Sequence, residues 1–365
     1  MLSCPYMDSK EKTIDFYALH KKYIECLKSL GEVIPSWLLD VDFQRSDEID
    51  GTSMLLPEHN IIVYSDKASE HAIIHEFEHL RSRHNNLSVG WDDEFEKNVY
   101  FYFIGFREYG ANGLFLEEGF NEIASRRIYL KMLEMSKKSK QQALAEYKHY
   151  KYYTHEMLTC IALCMALGEN IDFFLKLKTT GNTSGQEAIA GKINMITGKP
   201  SYWKQMQSYL DDYELAKRVI PNAHTEKQRY LAEYMQNYYT MVYDMLFNAF
   251  QNGNISRESL IRRMELFECY SNKAVKLNPK LSGCLETAKK ASMFKHMQTI
   301  SKGHLFYEIS ANREKIKKGS SFVYRDIVSK IPYFDAKSIE KNMPLVLTVK
   351  SLRNIPIEEK SYGLV

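Results

Sequence analysis

Apolar positions recur at helical spacing near the start of the chain, at Ile14, Phe16, Tyr17, Leu19, Tyr23, Ile24, Leu27 and Leu30. Gly31 follows as a C-cap, so a helix is expected over residues 13–31. After Pro35 the pattern is mixed as far as Thr52. Met54–Pro57 reads as a short strand and Glu58-His59-Asn60 as a turn. Ile61-Ile62-Val63-Tyr64 is β-branched and aromatic, and reads as a strand. Two placements stay open for it: inside a sheet, or at the edge beside a cleft, where an extended peptide could add by backbone pairing. Ser65-Asp66 offers an N-cap for a helix carrying Glu70–Arg83, which should stop after His84-Asn85-Asn86.

Residues 87–113 hold an aromatic stretch, Val99–Phe106, interrupted by Gly105, Gly110 and Gly113, which suggests a hairpin or a flap. Helical spacing resumes from Leu114, with Leu116, Phe120, Ile123, Ala124, Ile128 and Tyr129. Residues 141–220 read as a helical subdomain: Tyr147–Ala166, Ile171–Lys178, Ala188–Ile196 and Trp203–Leu215, with a loop at Thr180–Gly185. Pro221 marks a boundary. Residues 224–277 and 279–301 are helical again, turning at Asn252-Gly253-Asn254, and Leu345-Val346-Leu347-Thr348-Val349 is β-prone. No repeat of fixed period is present. The expected division is 1–130, 131–220 and 221–365.

Composition narrows the partners. The chain is 44% hydrophobic and 26% charged, enough to bury a core. Its net charge of +3, with one short basic run at Lys137-Lys138-Ser139-Lys140, argues against nucleic acid. Met1–Lys12 carries charges early and lacks an apolar segment, so no signal peptide is expected. The longest apolar run, Met157–Leu167, is too short to span a bilayer. The expected location is the cytoplasm, or the outside by a route that needs no signal. Cys4, Cys26, Cys160, Cys164, Cys269 and Cys284 are scattered and read as reduced thiols. Cys160 and Cys164 lie four apart on an apolar helix with only His155 near them, which favours packing over metal ligation.

The chemistry is concentrated at His75-Glu76-Phe77-Glu78-His79, an H-E-x-x-H pattern. Two histidines four apart on a helix share one face, their Cβ atoms about 5–6 Å apart. Both imidazoles can then reach one tetrahedral zinc ion, with room for a third ligand and a water. Glu76 is placed to take a proton from that water. Downstream, Glu118 and Glu122 also lie four apart on a helix. One could bind the ion while the other accepts a hydrogen bond from a ligand histidine and fixes its tautomer.

Leu116-Glu117-Glu118-Gly119-Phe120 resembles the L-N-E-G-F segment of zinc aminopeptidases, and the E-x-x-x-E spacing resembles thermolysin-like enzymes. Together they resemble the gluzincin metallopeptidases, and most closely bacterial gluzincin-like proteins with an E-G-x-x-E element. The resemblance covers roughly residues 54–130. It implies Zn2+ held by His75, His79 and Glu118, Glu76 as general base, and Glu122 supporting a ligand histidine. It implies an α+β, predominantly α fold: a zincin-like catalytic core with a small mixed sheet, followed by helical subdomains. Three features depart from the family. Glu78 puts a charge inside the motif, pointing off the ligand face towards Arg81 or Arg83. The separation of His79 from Glu118 is longer, as an inserted hairpin at 87–113 would make it. The aminopeptidase G-x-M-E-N motif is absent.

Of Tyr152, Tyr153 and His155, His155 is the leading candidate to stabilise an oxyanion. His71 reads as a cleft-wall or surface residue, and His84 and Glu117 as solvated. The reading is a zinc endopeptidase acting on a peptide or protein substrate. The rivals are a zincin-like scaffold or binding protein, and a regulatory protease dedicated to one protein partner.

Overall fold

Asp15 opens the first helix by accepting a hydrogen bond from the Ala18 amide (2.9 Å), and Gly31 closes it at φ 68°. This is α1, Phe16–Leu30, which buries Leu19, Tyr23, Ile24, Cys26 and Leu27. The computed structural model describes residues 14–296, less 47, 49–51, 58, 93–96, 108–111, 137–152, 181–184, 200 and 221–225; strand residues 84–92 and 97–103 are described as backbone only. The Lys137–Lys140 run, Tyr152, the His84 side chain and Leu345–Val349 lie outside what is described.

Three strands follow: β1, Asp42–Arg45; β2, Ser53–Leu56; and β3, Ile61–Tyr64. The sheet order is β1-β3-β2, with β1 parallel and β2 antiparallel to β3. The sheet is therefore mixed, and β3 is its centre. The edge placement of Ile61–Tyr64 is corrected by β1, which the mixed pattern before Thr52 conceals. In Asp42-Phe43-Gln44-Arg45 only Phe43 is apolar, and it stacks against Phe16 (5.6 Å) and meets Phe77 edge-on (6.0 Å).

The next helix, α2, spans Glu70–Arg81. Its N-cap is Ser69, whose hydroxyl accepts from the Ala72 amide at 3.1 Å, and not Ser65-Asp66. Ser65 is instead tied to Thr52 at the end of the sheet, through its amide (2.9 Å) and its hydroxyl (3.3 Å). α2 stops at Ser82, whose hydroxyl reaches the Glu78 and His79 carbonyls. Residues 87–113 do hold a hairpin: β4, Arg83–Asp92, pairs antiparallel with β5, Lys97–Ile104, and its register is irregular between Arg83 and Leu87.

The elements described after the hairpin are helical. α3 spans Leu114–Met135, α4 Thr154–Leu167, α5 Ile171–Thr180, α6 Gly185–Thr197 and α7 Ser201–Val219. α8 covers Lys227–Gln251, α9 Arg257–Leu277 and α10 Cys284–His296. The fold is α+β and predominantly α. One hydrophobic core cluster runs from Leu19 to Met293, and the expected boundary at residue 130 falls inside α3. Every residue of α4 is buried, Cys160 and Cys164 among them as free thiols. Among the described residues no single helix is long and apolar enough to cross a membrane.

Two contacts set the position of α3. Its N-terminal amides at Gly113 (2.8 Å) and Phe115 (3.3 Å) donate to Asp211 of α7, a cap supplied from far along the chain. Gly119 lets α3 press onto α4: a Cβ there would lie 2.8 Å from the Glu156 carbonyl oxygen and closer still to Cys160 Sγ. The glycine of the Glu-Glu-Gly segment thus brings helices together.

Candidate metal centre

One turn of α2 separates His75 from His79, and their rings lie 4.8 Å apart at 82°. α3 presents Glu117, Glu118 and Glu122 to them. Glu118 Oε2 lies 3.1 Å from His75 Nε2 and 3.4 Å from His79 Nε2. One ligand atom from each of His75, His79 and Glu118 falls within 4.8 Å of the others, so the three could hold a metal ion. Of the two carboxylates left open by spacing, Glu118 is the one between the imidazoles.

The outer nitrogens are also engaged. His75 Nδ1 donates to Glu122 Oε2 at 3.1 Å, and His79 Nδ1 to Glu117 Oε1 at 2.8 Å. A proton held on Nδ1 leaves the Nε2 lone pair facing inward, the tautomer a metal requires. The Asn121 amide donates to the His75 carbonyl at 2.7 Å and ties the two helices through the backbone.

Each supporting carboxylate has its own cation. Arg126, one turn after Glu122, bonds it through Nε and reaches Thr154 through Nη2 (2.8 Å). Buried Lys178 of α5 sits 3.0 Å from Glu117 Oε1 and bonds the Ser82 hydroxyl at 2.6 Å. The Phe106 amide donates to the other Glu117 oxygen at 2.9 Å. Glu117, expected in solvent, is 1% exposed. Glu118 Oε1, pointing the other way, accepts from Arg218 Nη2 of α7 at 2.8 Å.

These contacts set the charges. Burial pulls the His75 imidazole down, but the hydrogen bonds and charges of Glu118 and Glu122 outweigh it and raise it to about 10. His79 is raised in the same way by Glu117 and Glu118. Burial works against Glu117, yet Lys178 and His79 hold it at about 2. Glu122 is held at about 2 by His71, Arg126 and His75 against the same penalty. Glu118 lies well below the usual carboxylate range, because the histidine hydrogen bonds exceed its burial cost.

Glu76 is 8% exposed and accepts from the Ser53 hydroxyl of β2 at 3.0 Å. Glu78 points away, as expected, and bonds the Tyr23 hydroxyl (2.7 Å) and Arg81 (3.1 Å). His71 is not on the surface: it is 1% exposed, 3.5 Å from Glu122 Oε1, and burial lowers its imidazole to about 4.

His155 is buried and stacked on Tyr213 (5.1 Å), edge-on to Phe115, and neither ring nitrogen has a hydrogen-bond partner. Burial lowers it to about 4. Tyr153 is the residue laid on His75, 5.0 Å away and nearly parallel at 13°. Its phenol is pushed up by the Glu118 charge first and by burial second. Lys217 sits 5.2 Å over its ring. Tyr153 has φ 49°, a left-handed backbone that a bulky residue adopts only when its surroundings impose it.

Spacing did not reveal Glu117, Lys178, Arg218 or Ser53. Arg126 had a legible signal, four residues after Glu122 on one helix. Comparison with protein-family models, curated proteins and solved structures finds no match for this chain.

Proposed function

We propose that the chain is a zinc-dependent endopeptidase. The observation that carries the reading is the convergence of His75 Nε2, His79 Nε2 and Glu118 Oε2, with Glu76 on the turn between the two histidines. The donor set suits zinc: two imidazoles and a carboxylate, leaving a fourth position for solvent. Donors held 2.0–2.1 Å from one tetrahedral ion stand about 3.4 Å apart. The two separations from Glu118, 3.1 and 3.4 Å, match that spacing. A zinc ion bound there would act as a Lewis acid towards a carbonyl and a water.

The chain's own residues supply the remaining steps. Glu76 takes the proton of the attacking water and returns it to the departing amine. Ser53 holds one Glu76 oxygen and leaves the other for this transfer. The Tyr153 hydroxyl donates a hydrogen bond to the oxyanion that develops on the scissile carbonyl and keeps its proton, a role in which it replaces His155. Glu117 and Glu122 keep both imidazoles in the metal-binding tautomer.

A peptide substrate is supported by β2. Among the described residues its only strand partner is β3, and Ser53 at its start touches Glu76. An extended chain pairing with the outer edge of β2 would pass beside the general base.

The test is metal content together with the Glu76→Gln variant. Purified protein should carry about one zinc per chain, and Glu76→Gln should keep it while losing about 10²–10⁴-fold in peptide turnover. Full turnover in the variant would sink the mechanism. Absence of zinc, and of affinity for added zinc, would favour the scaffold reading.

A further inference from the structure

Away from the histidines, the C-terminal end of α1 and the facing sides of α2, α3 and α5 line a pocket of about 300 Å³ that opens to solvent beside Val33 and Lys176. Its charged lining is Arg81, Arg127, Lys176, Glu32 and Asp172, over an apolar floor that includes Ile128 and Leu175. The volume suits a small molecule.

The arginines are incompletely used. Arg81 is 6% exposed, and the Arg127 side chain is 16% exposed. Each gives Glu32 one Nη2 contact at 2.9 Å, so this carboxylate bridges the two guanidinium groups. Arg81 Nη1 meets Glu78 at 3.1 Å, and Arg127 Nη1 lies 3.6 Å from Asp172. Nε of both arginines is buried with no hydrogen-bond partner. An oxyanion normally takes a guanidinium along one edge, with two parallel N–H bonds. Glu32 takes single bonds from two arginines and leaves both Nε donors unmatched, a costly state inside a protein.

We propose that this pocket binds a small oxyanion, a carboxylate or a phosphate, and that Glu32 is its internal competitor. Glu32 follows the Gly31 cap, and its side chain is 23% exposed, so it can turn to solvent when a ligand arrives. The incoming group pairs with the Nε–Nη2 edges of Arg81 and Arg127. Its apolar remainder lies against Leu175 and Ile128. The site is separate from the histidine–glutamate cluster and does not depend on the peptidase reading.

Calorimetric titration of the full chain with inorganic phosphate, and separately with succinate, at constant ionic strength tests it. At least one should bind saturably, and the preferred one identifies the ligand chemistry. Arg127→Gln should weaken binding by about tenfold or more, the worth of one charge-assisted hydrogen bond. Glu32→Gln should strengthen it by a similar factor, because the competing charge is gone. This variant keeps both arginines, so it serves even if Arg127→Gln folds poorly. The same titration on His79→Ala should be unchanged. Loss of binding there would place the anion at the histidines and overturn the proposal. So would an unchanged affinity in Glu32→Gln, or no saturable binding in either wild type or Glu32→Gln.

Discussion

Among the described residues, two buried clusters join histidine to carboxylate, and they are built to opposite ends. Between α8 and α10, Asp244 takes Ser292, Lys295 and His296 onto its two oxygens, with His296 Nε2 at 3.2 Å. The other His296 nitrogen meets Gln251 at 3.2 Å. Donors surround one acceptor. Between α2 and α3 the inventory is reversed. Three carboxylates meet two imidazoles, and both Nε2 atoms turn inward to one oxygen of Glu118. The first arrangement ties two helices together. The second brings three candidate ligand atoms within 4.8 Å of one another, an arrangement that could hold a cation.

Substitution at matched positions gives the largest expected difference. His79→Ala should abolish zinc binding measured by competition with a chromogenic chelator, a loss of more than about 10²-fold, because removing a direct ligand exceeds the cost of losing a ligand's support. His296→Ala should leave zinc affinity unchanged and lower the melting temperature instead. Equal effects of the two variants on zinc would erase the distinction.

The supporting carboxylates give the next effect. Glu122→Gln and Glu117→Gln should each weaken zinc about 10–100-fold, since each fixes one imidazole's tautomer and raises its basicity. Asp244→Asn should not. Each glutamate also balances a buried cation, Arg126 or Lys178, so glutamine rather than alanine is the informative replacement. If both glutamines bind zinc like wild type, the carboxylates serve those cations alone.

Much of the first cluster was legible along the chain. The histidine spacing, the Glu118–Glu122 spacing and the apolar pattern of α3 all express one helical period. The strands beside it were legible where they are β-branched, at Ile61–Tyr64, and hidden where they are polar, at Asp42–Arg45. That hidden strand decides between the two open placements of Ile61–Tyr64 in favour of the sheet's interior and leaves β2 beside Glu76. Glu117 is buried rather than solvated because distant groups neutralise a charge that would otherwise face water. Here the neutralising groups are Lys178 and the Phe106 amide, which no local pattern brings to Glu117. Arg218 and Tyr153 were obscured in the same way, by α7 and α4 folding back over the site. Short-range spacing finds the candidate ligands, and long-range packing supplies the groups that hold them.

The smallest effect is in pH dependence, where the clusters should differ in sign. Asp244 is held at about 2 by His296, Lys295 and Ser292 against its burial, below its ordinary 3.8. Its contribution is present above about pH 4 and is lost as pH falls towards 2. Asp244→Asn should remove about 1 kcal/mol of that acid-side loss, allowing for solvent screening of Lys295. His75 is raised instead, from 6.5 to about 10. In chelator-treated protein its ion pairs stabilise fully below about pH 6.5 and fade as pH rises towards 10. Zinc must displace the same proton, so zinc affinity climbs over that range while the zinc-free protein weakens. Urea midpoints measured with and without zinc should therefore diverge from pH 6.5 upwards. Parallel curves would mean that His75 carries no proton for zinc to displace, and the α2–α3 cluster would then resemble its counterpart between α8 and α10.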